Sequence, residues 1–343
     1  MTVLAVLCLP PLWTGDMVAE NLQRPEDLPQ YWLDAAQFLD SRGQTTDGWA
    51  TRVLEMPGTD FASYRWGNTV DPVTPGLIDR PYVARELIPY GTPPSADLVN
   101  AFDGRLQEDT LDAVAIAPMA RFMGVGDIAL RDDLQYERYN LARPRQTWAL
   151  FREAPGVRPV ATFGGTAENV PDPSLPLQDE LELAAPPDLP DPAQVAVLEV
   201  EHPVGIFRAI PATAPVLLAG DGDGLVDLAS AGLVDGTEAV LYSASFAADG
   251  DGLDRELDRP GAVLVLTDSN RRAGRRWSTM RENDGYTEEA GEEPLRYDPT
   301  DNRLPLFPDA GDDAATVAQH RGGVHARATA YGNPITFTPE DRA

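Results

Sequence analysis

Lysine is absent from this chain of 343 residues, and cysteine occurs once, as Cys8. A lone cysteine excludes an internal disulfide and any metal site built on cysteine ligands. Without lysine, the 27 basic residues are all arginine, set against 55 acidic ones for a net charge of −28. That imbalance excludes nucleic acid as a partner, because phosphate contacts need a basic face. It also offers nothing to anionic lipid headgroups. A GC-rich genome or adaptation to salt accounts for such a composition, and its ordinary physical result is a solvated surface. Histidine is scarce too. Of His202, His320 and His325, the last two stand five apart rather than the four that place two ligands on one helical face. No metal and no cofactor is expected. Nucleophile-elbow, zincin and Walker motifs are missing. Carboxylates are too numerous for any pair to stand out as a glycosidase dyad.

Long apolar runs are missing as well. The run from Val3 to Trp13 is too short for a bilayer crossing, which takes roughly 20 helical residues. It has neither the basic flank nor the small-residue cleavage site of a secretory signal. It reads as a core element or as the stub of a transmembrane helix. Pro10-Pro11 followed by Trp13 fits a helix ending at a membrane interface. The first basic residue is Arg24, compatible with the outer side of a membrane.

The hydrophobic content of 43% supports a packed core. Pro25 and Pro29 precede a helical stripe of Tyr31, Trp32, Ala35, Phe38 and Leu39, with Gly43 as its stop. Arg52–Met56 reads as a short strand. Ser95–Gln107 is a second amphipathic helix with Ser95 as its N-cap. Leu111–Met123 is a strand or short helix, Asp127–Leu130 a strand, and Arg143–Phe151 closes a first region. From 155 to 192 proline, glycine and acidic residues predict an irregular connection. Val195–Val200 and Gly205–Ile210 look β-like around His202-Pro203. A clear alternation follows: strand Pro215–Ala219, helix Leu225–Leu233, strand Ala239–Tyr242, helix Leu253–Leu257, strand Ala262–Thr267. Short apolar strands alternating with helices predict a parallel α/β sheet. The expected fold is therefore α/β, a mixed or parallel sheet with flanking helices and long irregular loops.

Two glycine- or aspartate-rich turns are candidate sites. Gly220-Asp221-Gly222-Asp223-Gly224 lacks the third glycine of a dinucleotide loop, and its aspartates repel phosphate. It also lacks the glutamate of a calcium loop. It reads as a turn with an aspartate at a helix start. Asp268, Asn270 and Arg271 follow a strand, where ligands of open α/β sheets sit; they suit either a polyol or a helix cap.

The segment from Gly58 to Gly91 is the most distinctive. It has no long apolar pattern, yet it carries Phe61, Tyr64, Trp66, Tyr82 and Tyr90 among Asp60, Arg65, Asn68, Asp71, Asp79, Arg80, Arg85 and Glu86. Pro72, Pro75, Pro81 and Pro89 stiffen it. A solvated linker does not have this composition. Aromatic faces stack on sugar rings, while carboxylates, amides and guanidinium groups bond hydroxyls. The alternative is an ordered loop packed on its own domain.

That segment, with Asn21–Trp32 before it, resembles the extracytoplasmic part of the actinobacterial alpha-(1->3)-arabinofuranosyltransferases. Pro215–Leu233, Leu264–Trp277 and Tyr331–Arg342 are similar to the same family. These are large polytopic membrane enzymes of the GT-C class. They use decaprenyl-phosphoryl arabinose to build cell-wall arabinogalactan and lipoarabinomannan. The resemblance implies that 1–15 ends a transmembrane helix and 16–154 forms a first α/β region with the aromatic loop. Residues 155–192 would connect it to a second α/β region, 193–343, leading toward a carbohydrate-binding module outside the chain. It implies a location at the extracytoplasmic face of the cell membrane, with membrane contact through upstream helices and a reading frame that continues upstream into apolar spans. The partners implied are cell-wall arabinan or the lipid-linked arabinose donor. The family's catalytic carboxylate lies in an early external loop, so no catalytic residue is assigned. Glycan contact is expected from Tyr64, Arg65, Trp66, Asn68, Asp79, Arg85 and Glu86. The competing expectation is a carbohydrate-binding or scaffold module without turnover, and a hydrolase ranks third.

Overall fold

The computed structural model describes residues 27–267, except 47, 71, 87–91, 140, 174–188, 212 and 247–250. The apolar amino terminus, the 268–272 turn and the carboxyl-terminal histidines lie outside the described residues.

The first helix, α1 (Gln30–Ser41), buries Trp32, Ala35, Ala36 and Leu39, the spacing of a single helical face. Two small hairpin strands, β1 (Gln44–Thr45) and β2 (Gly48–Trp49), lead into β3 (Arg52–Met56). The aromatic segment then forms a hairpin of β4 (Ala62–Tyr64) and β5 (Gly67–Val70), a 3-10 turn (Thr74–Gly76) and the short strand β6 (Tyr82–Val83). Helices α2 (Pro93–Gln107) and α3 (Ala113–Phe122) precede β7 (Val125–Arg131). A single turn, α4 (Tyr136–Tyr139), and α5 (Pro144–Arg152) lead to the long strands β8 (Val157–Thr166) and β9 (Ala193–Val200). Last come β10 (Val216–Ala219), α6 (Gly222–Ser230), β11 (Val240–Tyr242), a 3-10 turn (Ser243–Phe246), α7 (Gly252–Leu257) and β12 (Val263–Leu266).

The larger sheet is mixed, in the order β6-β3-β7-β9-β8. β3 runs parallel to β6 and β7, whereas β9 is antiparallel to β7 and β8. Its inner strands alternate between two buried faces. Val53, Ala129 and Val197 meet Ala36 and Leu39 of α1. Leu54, Ile128 and Leu198 meet Ile116 and Met119 of α3. The smaller sheet, β11-β10-β12, is wholly parallel, as the strand–helix alternation predicts. Its Leu218 and the Val226 of α6 belong to the same apolar cluster as Leu54 and Ile128, so one core is continuous across both sheets.

Several local expectations change. The 155–192 stretch is not wholly irregular: β8 is the edge strand there, mostly exposed and bulged around Pro159 and before Thr166. β9, at the start of the expected second region, sits between β7 and β8. Gly205–Ile210 is not a strand; Phe207 stands almost fully exposed. α2 begins at Pro93 with Thr92 at its N-cap, and Ser95 Oγ donates to the Thr92 carbonyl. α6 begins three residues before the expected Leu225, because Asp221 caps it by accepting from the Gly224 N–H. No helix among the described residues is long and apolar enough to cross a membrane.

Candidate functional site

The parallel strands β6, β3 and β7 end on one side of the larger sheet; two chemically distinct features gather at those ends, and a third runs along β6 to the start of β3. In open α/β sheets ligands sit outside the carboxyl ends of the strands.

The first is a guanidinium junction. Gly58 follows β3, and Arg85 follows β6. Arg85 Nε donates to Asp103 of α2, Nη1 donates to Asp60 at 2.9 Å, and Nη2 donates to the Gly58 carbonyl at 3.1 Å. Asp103 also accepts from the Gly58 N–H at 2.6 Å and from Gln107 at 3.0 Å. A Cβ on Gly58 would lie 2.5 Å from Arg85 Cβ and 2.8 Å from Asp103 Oδ2. Glycine is therefore required there by space rather than by backbone angle.

The second is a buried acidic cluster. Glu55 of β3 faces Arg131 of β7 at 3.2 Å, both fully buried. Arg131 also donates to the Pro57 carbonyl. Beyond Arg131, Asp133 Oδ2 accepts from the Tyr31 hydroxyl and from the indole N–H groups of Trp32 and Trp66, each at 2.9 Å. Neither Asp132 oxygen has a hydrogen-bond partner among the described residues. Burial raises the Asp133 carboxyl from 3.8 to about 6 against the pull of those three donors. Burial, reinforced by the neighbouring Asp133 charge, raises Asp132 well above the usual range. Burial also raises Glu55, opposed by Arg131. Buried carboxyls driven upward in this way favour the neutral acid. Among the described residues, no group of three or more histidine, cysteine or acidic side chains could hold a metal ion.

The third is a cavity of about 490 Å³ beside the edge strand β6, closed by α2 and the end of α3. Val83, Val99, Phe122 and Met123 supply apolar wall, while Arg52, Tyr82, Arg85, Glu86 and Asn100 supply polar groups. Arg52 Nη1 donates to the Met123 carbonyl at 2.8 Å, and the Tyr82 hydroxyl reaches Glu86 at 3.4 Å. Asn100 is buried, and its side-chain nitrogen has no hydrogen-bond partner among the described residues. A donor left in that condition costs about 1–3 kcal/mol.

The seven residues expected to contact glycan are thereby divided. Arg85 and Glu86 line the cavity. Tyr64 is wholly buried; its ring stacks on Trp66 at 4.8 Å and meets Trp32 edge-on at 5.7 Å, and its hydroxyl accepts from the Val73 N–H. No face of Tyr64 is open to a ligand in this arrangement. Arg65 forms two bonds to Glu137, at 2.5 and 2.7 Å, and a third to Asn169. Asn68 is buried in β5. Asp79 is exposed, and its N–H donates to Asp40. Arg80, also from the loop, is buried between Leu39, Thr51 and Asp127. The loop's side chains thus serve largely to fix it to neighbouring elements. Sequence reasoning missed Asn100, Asp103, Glu55 and the Asp132–Asp133 pair. Only the last pair had a signal: two adjacent aspartates at the end of an apolar strand.

A family model described as alpha-(1->3)-arabinofuranosyltransferase, N-terminal GT-C domain, matches residues 1–301. The alpha-(1->3)-arabinofuranosyltransferase of Mycolicibacterium smegmatis is 34% identical over 139 residues, which is 40% of this chain and 9% of that protein. Its counterpart in Mycobacterium tuberculosis is 33% identical over 163 residues, 47% of this chain and 11% of that protein. A solved structure of the arabinofuranosyltransferase AftD from Mycobacteria superposes with a TM-score of 0.58 at 21% identity, covering 88% of this chain and 21% of that one. This chain therefore spans about a tenth of those relatives and a fifth of the solved structure.

Proposed function

Because this chain belongs to the alpha-(1->3)-arabinofuranosyltransferase family, we propose that it serves in a membrane glycosyltransferase as part of the portion outside the cytoplasm. The reaction proposed for the whole protein moves arabinofuranose from decaprenyl-phosphoryl arabinose to cell-wall arabinan, in arabinogalactan or lipoarabinomannan. The observation that carries this reading is the family match across 1–301. This chain's own share is a rigid wall on the acceptor side, with Arg85, Glu86, Trp66 and Asp79 as candidate glycan contacts. Arg85 is immobilised by two carboxylates and a carbonyl, which suits positioning rather than proton transfer. The test supplies labelled decaprenyl-phosphoryl arabinose and an arabinan acceptor to membranes carrying the whole protein. Label in the acceptor, absent when the gene is deleted, is expected; equal incorporation without the gene contradicts the proposal.

A specific observation favours a second reading, a scaffold without glycan contact of its own. Tyr64, Arg65 and Asn68, three of the seven expected contacts, are engaged inside the fold. Arabinan affinity that is unchanged by Trp66→Ala and by Glu86→Gln would select it.

A further inference from the structure

We propose that Phe207, with the apolar side chains beside it, anchors this chain to an apolar surface on another folded part of the same polypeptide, outside the 343 residues. The inference goes beyond the acceptor-wall reading and does not depend on it.

Phe207 is the most exposed large hydrophobic side chain among the described residues, at 96%. A lone exposed leucine is ordinary on a folded surface, but this ring is held out by a fixed loop. On one side, the Ile206 N–H donates to the Ala50 carbonyl at 2.8 Å. On the other, Arg208 donates to the Gly236 carbonyl at 2.7 Å and lies 5.7 Å over the Phe122 ring. Gly236 in turn packs on α3, where a Cβ would lie 2.5 Å from both the Pro118 carbonyl oxygen and Arg121 Cβ. Two more exposed apolar side chains belong to this side of α3. Leu233 precedes Gly236 by three residues, and Val114 precedes Pro118 by one helical turn; they are 58% and 44% exposed.

Three occupants can be compared. A second copy needs more surface than this. Phe207 offers roughly 200 Å², Leu233 and Val114 add less, and free-standing complexes bury about 800 Å² per partner. Binding to a bilayer surface draws on basic side chains at headgroup level. Here Arg208 is spent on Gly236 and Phe122, and Arg121 is bonded to the carbonyls of Glu201 and Asp235. Glu201 and Asp235 themselves are exposed acids. A partner on the same polypeptide faces neither obstacle. Connection raises its effective concentration, to about millimolar for a short flexible linker, so a small apolar contact holds. The proportions of the solved relative agree: this chain covers 21% of that polypeptide, so most of it lies outside the matched span. The loop sits beside Ala50 and Gly124, at the start of β3 and β7. Docking there leaves the carboxyl ends of those strands, with the Arg85 junction, uncovered.

The test places a benzophenone photocrosslinker at position 207 of the whole protein in its own membranes and maps the products by mass spectrometry. A crosslinked peptide from the same polypeptide outside these 343 residues, at a yield that dilution does not change, is expected. A lipid adduct, a crosslink to a second polypeptide (another copy included), one confined to these 343 residues, or none at all overturns the proposal. Phe207→Ser separates docking from folding. In the whole protein the amides of 207–209 should exchange about tenfold or more faster in the variant, the worth of one buried ring. The 343-residue chain alone should keep its urea midpoint. Equal exchange in the two whole proteins, or a lowered midpoint in the chain alone, counts against the anchor.

Discussion

At the residue scale, the least ordinary feature is the adjacent carboxyl pair Asp132–Asp133, buried after β7. The folded Asp133 holds its proton to about pH 6 because burial opposes its charge, whereas the unfolded chain releases it near the ordinary value of about 3.9. Between those values the folded state binds more protons, so stability is full below about pH 4 and falls as pH rises to about 6. The rise from 3.8 to about 6 corresponds to about 3 kcal/mol. Asp132 shifts in the same direction and extends the loss toward higher pH. Asp133→Asn keeps an acceptor for Tyr31, Trp32 and Trp66 but has no proton to release. Urea denaturation of both proteins from pH 4 to 7 should give a difference curve that climbs in favour of the variant; a flat difference would refute the assignment. A second expectation concerns the Arg85 junction. Asp103→Ala strips a buried guanidinium of its most enclosed partner and should cost about 3–5 kcal/mol. Asp60, nearer solvent, should cost about 1 kcal/mol or less when replaced by alanine. The urea midpoints of the two variants test that ranking. The sequence marked Arg85 as interesting because of its neighbours in the chain. Its real partners lie on α2, and the local pattern cannot show which distant carboxylate answers a given arginine.

At the scale of elements, apolar periodicity was a good guide wherever an element buries one continuous face. α1, α2, β3, β7 and the strands of the smaller sheet were all legible in this way. β8 was not, and the reason is physical. An edge strand has one unpaired side, so it accepts Pro159 and Gly164-Gly165, residues that otherwise punctuate loops. Its bulges and exposed side chains also keep that edge from pairing with another molecule. The start of α6 was misplaced for a related reason: three glycines suggested a turn, but the Asp221 and Asp97 carboxylates secure the first helical turn. That junction gives a third prediction. A Cβ on Gly222 would lie 2.7 Å from the Asp97 carbonyl oxygen and 2.9 Å from Leu98 Cα. Gly222→Ala should therefore push α6 from α2 at a cost of about 1–3 kcal/mol. Hydrogen exchange of the β10 and β12 amides should accelerate while the β7 amides stay protected. Equal acceleration in both sheets would mean that the junction is not a local seam.

At the scale of the whole molecule, the aromatic segment identified the family but was a poor map of the site. Its rings and guanidinium groups serve chiefly to hold an irregular path against α1 and β7: Trp32, Tyr64 and Trp66 pack together, and Arg80 is locked onto Asp127. A long path without regular structure leaves backbone and side-chain polar groups that must be satisfied internally, and that need draws on residue types that also recognise sugars. Of the glycan candidates, Arg85 and Glu86 sit where the loop ends, beside a cavity completed by helices that the loop pattern does not reveal. The central claim is that this chain supplies an accessory wall for the acceptor rather than the reacting groups. Steady-state arabinofuranose transfer by the whole protein carrying Glu86→Gln tests it most directly. Removal of an interaction made equally with the bound acceptor and the transition state raises KM and leaves kcat unchanged. The account predicts an acceptor KM raised about three- to tenfold, with kcat and the donor KM as in the wild type. A fall in kcat at unchanged acceptor KM would contradict it.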